Sequence, residues 1–197
     1  ERSPDDLAAL DKTGNYICQQ KVDGWRMVII LTDKRAEFIS RHNKVFTAEI
    51  EPEIRAEADT LLSVLPEKTQ IDAEWISRRS CSMGEKYKLP AHMYVFDLMR
   101  LGETWLTRTP YEERYDSLKA GLANLNLTSI SLPVEAESGK FCEFYEAQKQ
   151  IKFSEGVVLK HRQSLMIADR KESKKNPNWL KIKYRAMSNG EETLDHL

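Results

Sequence analysis

The sequence predicts an α+β domain in which antiparallel sheets are flanked by helices. Segments with the alternation and apolar content of β-strands outnumber the segments with helical periodicity. Several strand-like segments follow one another closely, which favours antiparallel pairing over the long crossovers of a parallel sheet. The helical segments lie between the strands and have one apolar face, as expected of helices that cover a sheet.

Eight segments have the composition of strands, and most are short and bounded by polar or glycine-containing loops. The segment from Ala36 to Ser40 shows a weaker alternation than the others, but it follows closely after a strongly apolar run. We therefore predict that all eight segments are strands. They are residues 15–20, 25–32, 36–40, 69–76, 92–99, 129–134, 156–161 and 179–184.

Four segments are predicted to be helical. The first is a short turn around residues 7–10, and the second begins at Pro52 and runs to about Leu65, because proline is favoured at the first helical position. The third follows Thr109-Pro110-Tyr111-Glu112, which has the pattern of a capping box with Thr109 as the N-cap. The fourth has apolar residues at helical spacing from Phe141 to Ile151.

The composition indicates one globular domain. At 197 residues, with 41% hydrophobic and 31% charged residues, the chain is long enough to bury a substantial core. No apolar run approaches the roughly 20 residues of a membrane span, and no signal peptide is visible. Three widely spaced cysteines favour reduced thiols. We expect a monomer that is neither secreted nor membrane-bound. It would be cytoplasmic if the protein is bacterial or viral, and otherwise nuclear.

The charge distribution is uneven although the net charge is only −1. Between Lys160 and Arg185 basic residues far outnumber acidic ones, since only Asp169 and Glu172 oppose them. Such a local positive surface suits phosphate groups and predicts nucleic-acid contacts by Lys160 and Arg162, although a solvated charge run would have the same composition.

The most informative stretch is Lys21-Val22-Asp23-Gly24-Trp25-Arg26, which lies between two apolar runs. Asp23 and Gly24 have the composition of a tight turn between two strands, and the simplest interpretation is a hairpin with solvated charges. The same turn can also direct the amine of Lys21 and the guanidinium of Arg26 toward one bound phosphate or ribose.

Together with five further stretches, this one resembles the ATP-dependent polynucleotide ligases and the mRNA capping enzymes. All six occur in the order of that family, from about residue 15 to residue 185, with Ala73 replacing a glycine. The five are Ser40-Arg41, Asp72-Ala73-Glu74, Tyr94-Val95-Phe96-Asp97, Glu155-Gly156-Val157-Val158-Leu159-Lys160 and Trp179-Leu180-Lys181-Ile182-Lys183.

The resemblance implies a ligase-type nucleotidyltransferase fold, similar to ATP-grasp, and a nucleotide bound covalently to Lys21. It implies ATP and Mg²⁺ (or Mn²⁺) as cofactors and nicked duplex DNA as substrate. The implied site comprises Lys21 and Asp23 for catalysis; Gln19, Arg26, Arg41, Glu74, Phe96, Lys181 and Lys183 for ATP; Glu155 and Glu74 for the metal; and Arg41 for DNA.

Elementary chemistry supports several of these roles. A lysine attacks phosphorus only as a neutral amine, and unperturbed lysine titrates near 10.4. Lys181 and Lys183 are two residues apart on a predicted strand and therefore share one face, where their charges would favour a neutral Lys21. The ring of Phe96 can stack on adenine or fill the core. Gln19 can hydrogen-bond the adenine amino group, although Gln20 alternates with it.

Several alternatives stay open. Arg26 completes the ATP-type motif, which favours ATP over NAD, and residues 155–158 and 179–183 favour DNA ligase over a capping guanylyltransferase. An RNA ligase and a catalytically silent nucleotide- or DNA-binding module are the other candidates. We expect residues 1–187 to form the adenylation domain and 188–197 a tail or linker. Nothing after Tyr184 resembles the family's OB-fold domain, so the chain is either an excised catalytic domain or a minimal enzyme without it.

Overall fold

In the computed structural model, which describes residues 3–77, 90–166 and 176–184, two antiparallel sheets pack against each other. The smaller sheet has the order β1-β8-β9, and the larger has the order β3-β2-β4-β5-β6, with β7 also paired to β5. The strands are β1 (Tyr16–Val22), β2 (Trp25–Leu31), β3 (Ala36–Ser40), β4 (Gln70–Ile76), β5 (His92–Leu101), β6 (Thr104–Trp105), β7 (Ile130–Ser131), β8 (Ser154–His161) and β9 (Trp179–Lys183).

Four α-helices cover the outer faces of the sheets in the described part of the chain. They are α1 (Leu7–Lys12), α2 (Pro52–Thr60), α3 (Tyr111–Leu122) and α4 (Phe141–Gln148), with 3₁₀ turns at Pro4–Asp6 and Leu61–Ser63. The predicted start of α2 at Pro52 is confirmed, but regular α-helix ends at Thr60 rather than near Leu65. This arrangement of antiparallel sheets and flanking helices confirms the predicted fold class.

Each sheet has its own core. On the larger sheet, Met27 and Ile29 of β2 and Ile71 of β4 pack with Ile54 of α2 and Leu118 of α3. The smaller sheet packs against α1 and α4 through a second cluster. That cluster comprises Leu7, Cys18, Phe141, Tyr145, Val157, Leu159, Ile182 and Tyr184. Because apolar residues alternate along each strand, the polar residues between them lie on the opposite faces, which meet in a cleft between the sheets.

Asp23-Gly24 lies between two strands as predicted, but the simple hairpin considered as the alternative does not form, because β1 and β2 belong to different sheets. The chain crosses from the smaller to the larger sheet at this turn, and the N–H of Asp23 donates to the carbonyl of Phe153 at 2.9 Å. Gly24 lies so close to β4 that a Cβ atom would be 2.5 Å from the Trp75 carbonyl oxygen. Glycine is therefore required for close approach, and the turn places Lys21 and Arg26 on opposite walls of the cleft.

Two further predictions on local structure are corrected. The Thr109 capping box does not form, since α3 begins at Tyr111 and its cap residue, Pro110, makes no side-chain cap bond. The first N–H groups of α3 donate instead to the carbonyls of Ser164 and Arg162 after β8. The strand predicted over 129–134 shortens to β7, because the chain then leaves β5 and bridges to β1 at Gln19.

Candidate active site

Lys21 lies near the end of β1, opposite Gly156 of β8, and its amine faces the cleft. The Nζ atom contacts Oε1 of Glu155, and Oε2 of the same carboxylate accepts from Nζ of Lys183 at 2.9 Å. The side chains of Lys21 and Glu155 are only 15% and 13% exposed. One carboxylate therefore holds two lysine amines together in a largely desolvated position.

The surroundings favour the neutral form of Lys21. Burial lowers the pKa of its amine from 10.5 to about 8, and the positive charges of Lys181 and Lys183 act in the same direction. The carboxylates of Glu74 and Asp23 oppose this effect. The lowered pKa moves Lys21 toward the unprotonated state that a lysine nucleophile requires.

Strand β9 places Lys181 and Lys183 on the cleft face as predicted. Ile182 between them is fully buried, and the small-sheet core also includes Leu180 and Tyr184. The register pairs Lys183 with Gly156 and Lys181 with Val158. Alternation along the strand thus separates the apolar and cationic residues.

Gly156 allows β8 and β9 to pair beside Lys21. Its φ angle is +140°, and a Cβ atom would lie 2.1 Å from the Ile182 carbonyl oxygen. Only glycine fits this conformation and this distance, so the residue after Glu155 is fixed by backbone geometry. The bulge at Lys21/Val22 in the β1–β8 pairing lies at the same point.

Arg26 and Glu74 lie opposite each other on β2 and β4, on the other wall of the cleft. The guanidinium of Arg26 donates through Nε and Nη2 to both carboxylate oxygens of Asp72, while its side chain stays 52% exposed. Burial raises the pKa of Glu74 to about 7, although Lys21 and Arg26 act against this rise. Arg26 is thus a fixed cation, as predicted, and Glu74 is an acid of the site rather than a solvated residue.

Phe96 is half-buried on β5, edge-to-face with Trp179 at 6.2 Å between ring centroids. It therefore lies at the boundary between the core and the cleft.

Lys160 does not lie on a DNA-binding surface, and this prediction is corrected. Its side chain is 2% exposed, and its amine donates to the hydroxyl of Tyr111 and the carbonyl of Phe96. Strand alternation places Lys160 on the cleft face of β8, where α3 and β5 cover it. A lysine enclosed in this way cannot reach the phosphates of a duplex.

The other two residues predicted to contact DNA are at the surface. Arg41 lies in the exposed turn after β3, where Nε donates to the ring of His42 at 3.1 Å. Arg162 is partly exposed, but it donates to the carbonyl of Gly14 at 3.0 Å and pairs with Glu112. Arg41 is therefore the better placed of the two to contact a phosphate. Residues 167–175, which contribute much of the predicted positive segment, and 185–197, which include the predicted tail, lie outside the described residues.

Tyr111 was predicted only as part of the start of a helix, but its hydroxyl lies beside two predicted site residues. Its hydroxyl lies 3.2 Å from Oε1 of Gln19 and 2.9 Å from the carbonyl oxygen of Phe96. Gln19 is fully buried, and its Nε2 atom has no hydrogen-bond partner among the described residues. Helical periodicity predicts that Tyr111 is buried, whereas no sequence signal indicates where its hydroxyl points.

The predicted metal ligands fit a cation that binds together with a nucleotide. The described residues contain no cluster of three or more His, Cys, Asp or Glu side chains able to hold a metal. Glu155 and Glu74 supply hard oxygen donors beside Lys21, and Mg²⁺ usually binds through one or two carboxylates, water and substrate phosphates.

Two antiparallel sheets, a cleft lined by lysines and acids, and outer helices together form the fold of the ligase-type nucleotidyltransferase domain. A family model described as ATP dependent DNA ligase domain matches residues 4–183. The chain therefore belongs to the ATP-dependent DNA ligase domain family. Among curated proteins, none matches it significantly. No helix in the described ranges is both long and apolar enough to cross a membrane.

Solved structures with the same fold include a mycobacterial DNA ligase D complexed with ATP and MES, with a TM-score of 0.65 and 23% identity, covering 87% of this chain and 55% of that one. A Chlorella virus DNA ligase-adenylate has a TM-score of 0.53 and 19% sequence identity, and the match covers 88% of this chain and 63% of that one. A Naegleria gruberi RNA ligase mutant with AMP and Mn has a TM-score of 0.54 and 16% sequence identity, and the match covers 93% of this chain and 54% of that one. The chain thus spans about half the length of the mycobacterial ligase.

Proposed function

We propose that this chain is the catalytic domain of an ATP-dependent polynucleotide ligase that forms a lysyl-AMP intermediate at Lys21 and seals nicks in duplex DNA. The observation that carries this proposal is the environment of Lys21, whose amine is buried among Lys181, Lys183 and Glu155 and has a pKa lowered to about 8. A largely buried lysine whose pKa is lowered by burial and by neighbouring cations is typical of a functional site.

In the first step the neutral amine of Lys21 attacks the α-phosphorus of ATP. A nitrogen–phosphorus bond forms, the bond to the β-phosphate oxygen breaks, and pyrophosphate leaves. Glu155, in contact with Nζ, is placed to take the proton that the nitrogen loses. The ammonium groups of Lys181 and Lys183 stabilise negative charge on the transferring phosphoryl group.

The remaining predicted residues orient the nucleotide. Phe96 offers a ring to the adenine, and Gln19 lies next to it through their shared partner Tyr111. On the opposite wall, the fixed guanidinium of Arg26 and the carboxylate of Glu74 would contact the ribose and the phosphates. Asp23 lies in the turn after β1, two residues from Lys21. Its negative charge raises the pKa of Lys21 and so limits the decrease caused by burial.

Two transfers to DNA complete the reaction. An oxygen of the 5′-phosphate at the nick attacks the lysyl-AMP phosphorus, and the nitrogen–phosphorus bond breaks and frees Lys21. The 3′-hydroxyl oxygen then attacks the 5′-phosphorus, its proton is lost, and AMP leaves as the phosphodiester forms. Arg41 and Arg162 supply surface cations for the DNA backbone. Mg²⁺ or Mn²⁺, when bound near Glu155 and Glu74, would neutralise phosphate charge.

The test is covalent labelling with ATP carrying a label on the α-phosphate. We expect one label per chain, with peptide mapping to Lys21, and no label in Lys21→Ala or Lys21→Arg, since a guanidinium does not deprotonate near neutral pH. Lys34→Ala, at an exposed lysine, is the matched control and should label normally. A labelled Lys21→Ala variant would remove this residue from the mechanism.

The nucleic-acid substrate is tested separately. Nicked DNA, nicked RNA and a nick that is already adenylated are each offered to the chain, with ATP or GTP for the first two. Sealing of DNA with ATP supports the proposal. Labelling by GTP alone would indicate a capping-type enzyme, sealing restricted to RNA would indicate an RNA ligase, and no label with either nucleotide would indicate a silent binding module.

A further inference from the structure

Lys160 is a buried amine that the proposed chemistry does not use. Its Nζ atom lies 4.3 Å from the ring centroids of both Phe96 and Trp179 and 4.9 Å from that of Tyr111. It also donates to the Tyr111 hydroxyl at 3.1 Å and to the Phe96 carbonyl at 3.4 Å. One amine therefore contacts three rings from three different elements, β5, α3 and β9.

These contacts differ from those of an ordinary buried ion pair. The two nearest acids, Asp97 and Asp72, are held by the guanidinium groups of Arg114 and Arg26. They still act on Lys160 at longer range, but burial dominates and lowers its pKa to about 7. The enclosed amine itself lies against ring faces and two oxygens, and these contacts depend on the angles of the rings.

One of the rings that Lys160 contacts, that of Phe96, is the ring proposed to hold the base. Phe96 is contacted twice, at its ring and at its carbonyl oxygen, and its ring makes an angle of 76° with that of Trp179. A half-buried phenylalanine at the edge of a cleft has several accessible rotamers unless neighbours restrict it. Lys160, together with Trp179, supplies such a restriction for Phe96.

We propose that Lys160 is a positioning residue for the purine base: it fixes the ring of Phe96 and does not itself contact the nucleotide or DNA. This inference rests on the proposed function, since it assumes that the cleft binds ATP. It predicts that loss of Lys160 weakens the binding only of ligands that carry a base, because the lysines proposed to bind phosphate, Lys181 and Lys183, lie on a different strand, β9.

The experiment compares ATP with inorganic tripolyphosphate, which has the phosphates but no base. Binding is measured on the full chain with Lys21→Ala, so that no covalent adduct forms. Adding Lys160→Met should raise the Kd for ATP about tenfold, because the ring contact and the hydrogen bond that Lys160 makes to Phe96 are lost, and leave the Kd for tripolyphosphate unchanged. Lys160→Gln, which keeps donors, should show a smaller defect.

Two controls distinguish positioning from general damage. Lys149→Met removes a lysine that lies over Tyr145 on the far side of the smaller sheet and should change neither affinity. A double-mutant cycle with Phe96→Leu tests the route of the effect: once Phe96 is replaced, Lys160→Met should cause little further loss of ATP binding. Because each chain is compared with itself for two ligands, a partly unfolded variant lowers both affinities by the same factor.

Three results would overturn the inference: equal weakening of ATP and tripolyphosphate, full additivity with Phe96→Leu, or a loss of nick affinity in Lys160→Met, which would indicate a DNA contact. Failure of the proposed function is separable. If unmodified chain forms no adduct but the ATP-specific defect is found, the positioning role is supported while the lysyl-AMP chemistry is not.

Discussion

Replacing Lys181 with methionine provides the sharpest test of why Lys21 is reactive. After burial, the charge of Lys181 is the largest cause of the lowered pKa of Lys21. Methionine keeps the length of the side chain and removes the charge. The pKa of Lys21 should therefore rise, and the pH at which self-adenylation reaches half its maximal rate should rise with it.

The size of the effect follows from the pKa values. At pH 7.5 an amine with a pKa of about 8 is about a quarter neutral, whereas one at 10.5 is only about 0.1% neutral. If a nearby cation contributes about one pKa unit, loss of Lys181 moves the pKa to about 9. The neutral fraction at pH 7.5 then falls to about 3%, roughly an eightfold decrease.

Two assays separate this effect from the second proposed role of Lys181, contact with the α-phosphate. Self-adenylation is followed from about pH 6 to about pH 10 at saturating ATP, where the midpoint reports the pKa of Lys21 and the plateau reports phosphate stabilisation. Without ATP, the rate at which an acylating reagent modifies Lys21 is measured over the same range by mass spectrometry. Without ATP there is no phosphate to stabilise, so the pH profile of acylation depends only on the pKa of Lys21.

Lys149→Met serves again as the matched control and should leave both midpoints unchanged. The reasoning fails if Lys21 in the unmodified chain titrates near 10.5, or if Lys181→Met lowers only the plateau while the midpoint stays in place. A shifted midpoint in the acylation profile together with a lowered plateau would support both roles of Lys181.

Two further predictions concern stability. Gly156→Ala should lower the free energy of unfolding by about 3 kcal/mol or more, because the new Cβ would overlap the Ile182 carbonyl. Gly139 also has a positive φ but has no atom within 4 Å of the position that a Cβ would take, so Gly139→Ala should lower it by only about 1 kcal/mol. Chemical denaturation of the two variants compares these values. Glu74→Gln should stabilise the fold by about 1–2 kcal/mol at pH 7.5 and by little at pH 4.5. The folded-state pKa of Glu74 is raised to about 7, so its contribution is present at low pH and is lost as pH rises through that value; a constant difference across the range would contradict this.

Strand alternation made much of the site predictable. The spacing of Lys181 and Lys183 placed both on one face, and the structure confirms this because Ile182 between them is buried. The order of the six stretches predicted the family, which the match over residues 4–183 confirms. These predictions succeed because each depends on local periodicity or on a motif held within one strand.

Predictions that depended on tertiary context were less successful. Asp23-Gly24 has the composition of a hairpin turn, but composition does not reveal which sheet the next strand joins. Thr109 has the residues of a capping box around it, yet the chain after β8 supplies carbonyls that satisfy the same N–H groups. Lys160 was predicted to contact DNA because charge usually lies at the surface, and only the packing of α3 and β5 shows that it is buried.

The ion pairs of the site indicate how nucleotide binding would rearrange it. Glu155 places one carboxylate oxygen on Lys21 and the other on Lys183, the positions that phosphate oxygens would occupy in the proposed reaction. The carboxylate thus compensates the charge of two lysines until a triphosphate arrives with more negative charge. Once phosphate replaces it on Lys183, Oε2 of Glu155 becomes available as a hard donor, the ligand type that Mg²⁺ prefers, while Oε1 stays beside Lys21. The same side chain can therefore hold Lys21 in place before binding and serve a phosphate-bound cation afterwards, so the observed ion pairs and the predicted metal role do not conflict.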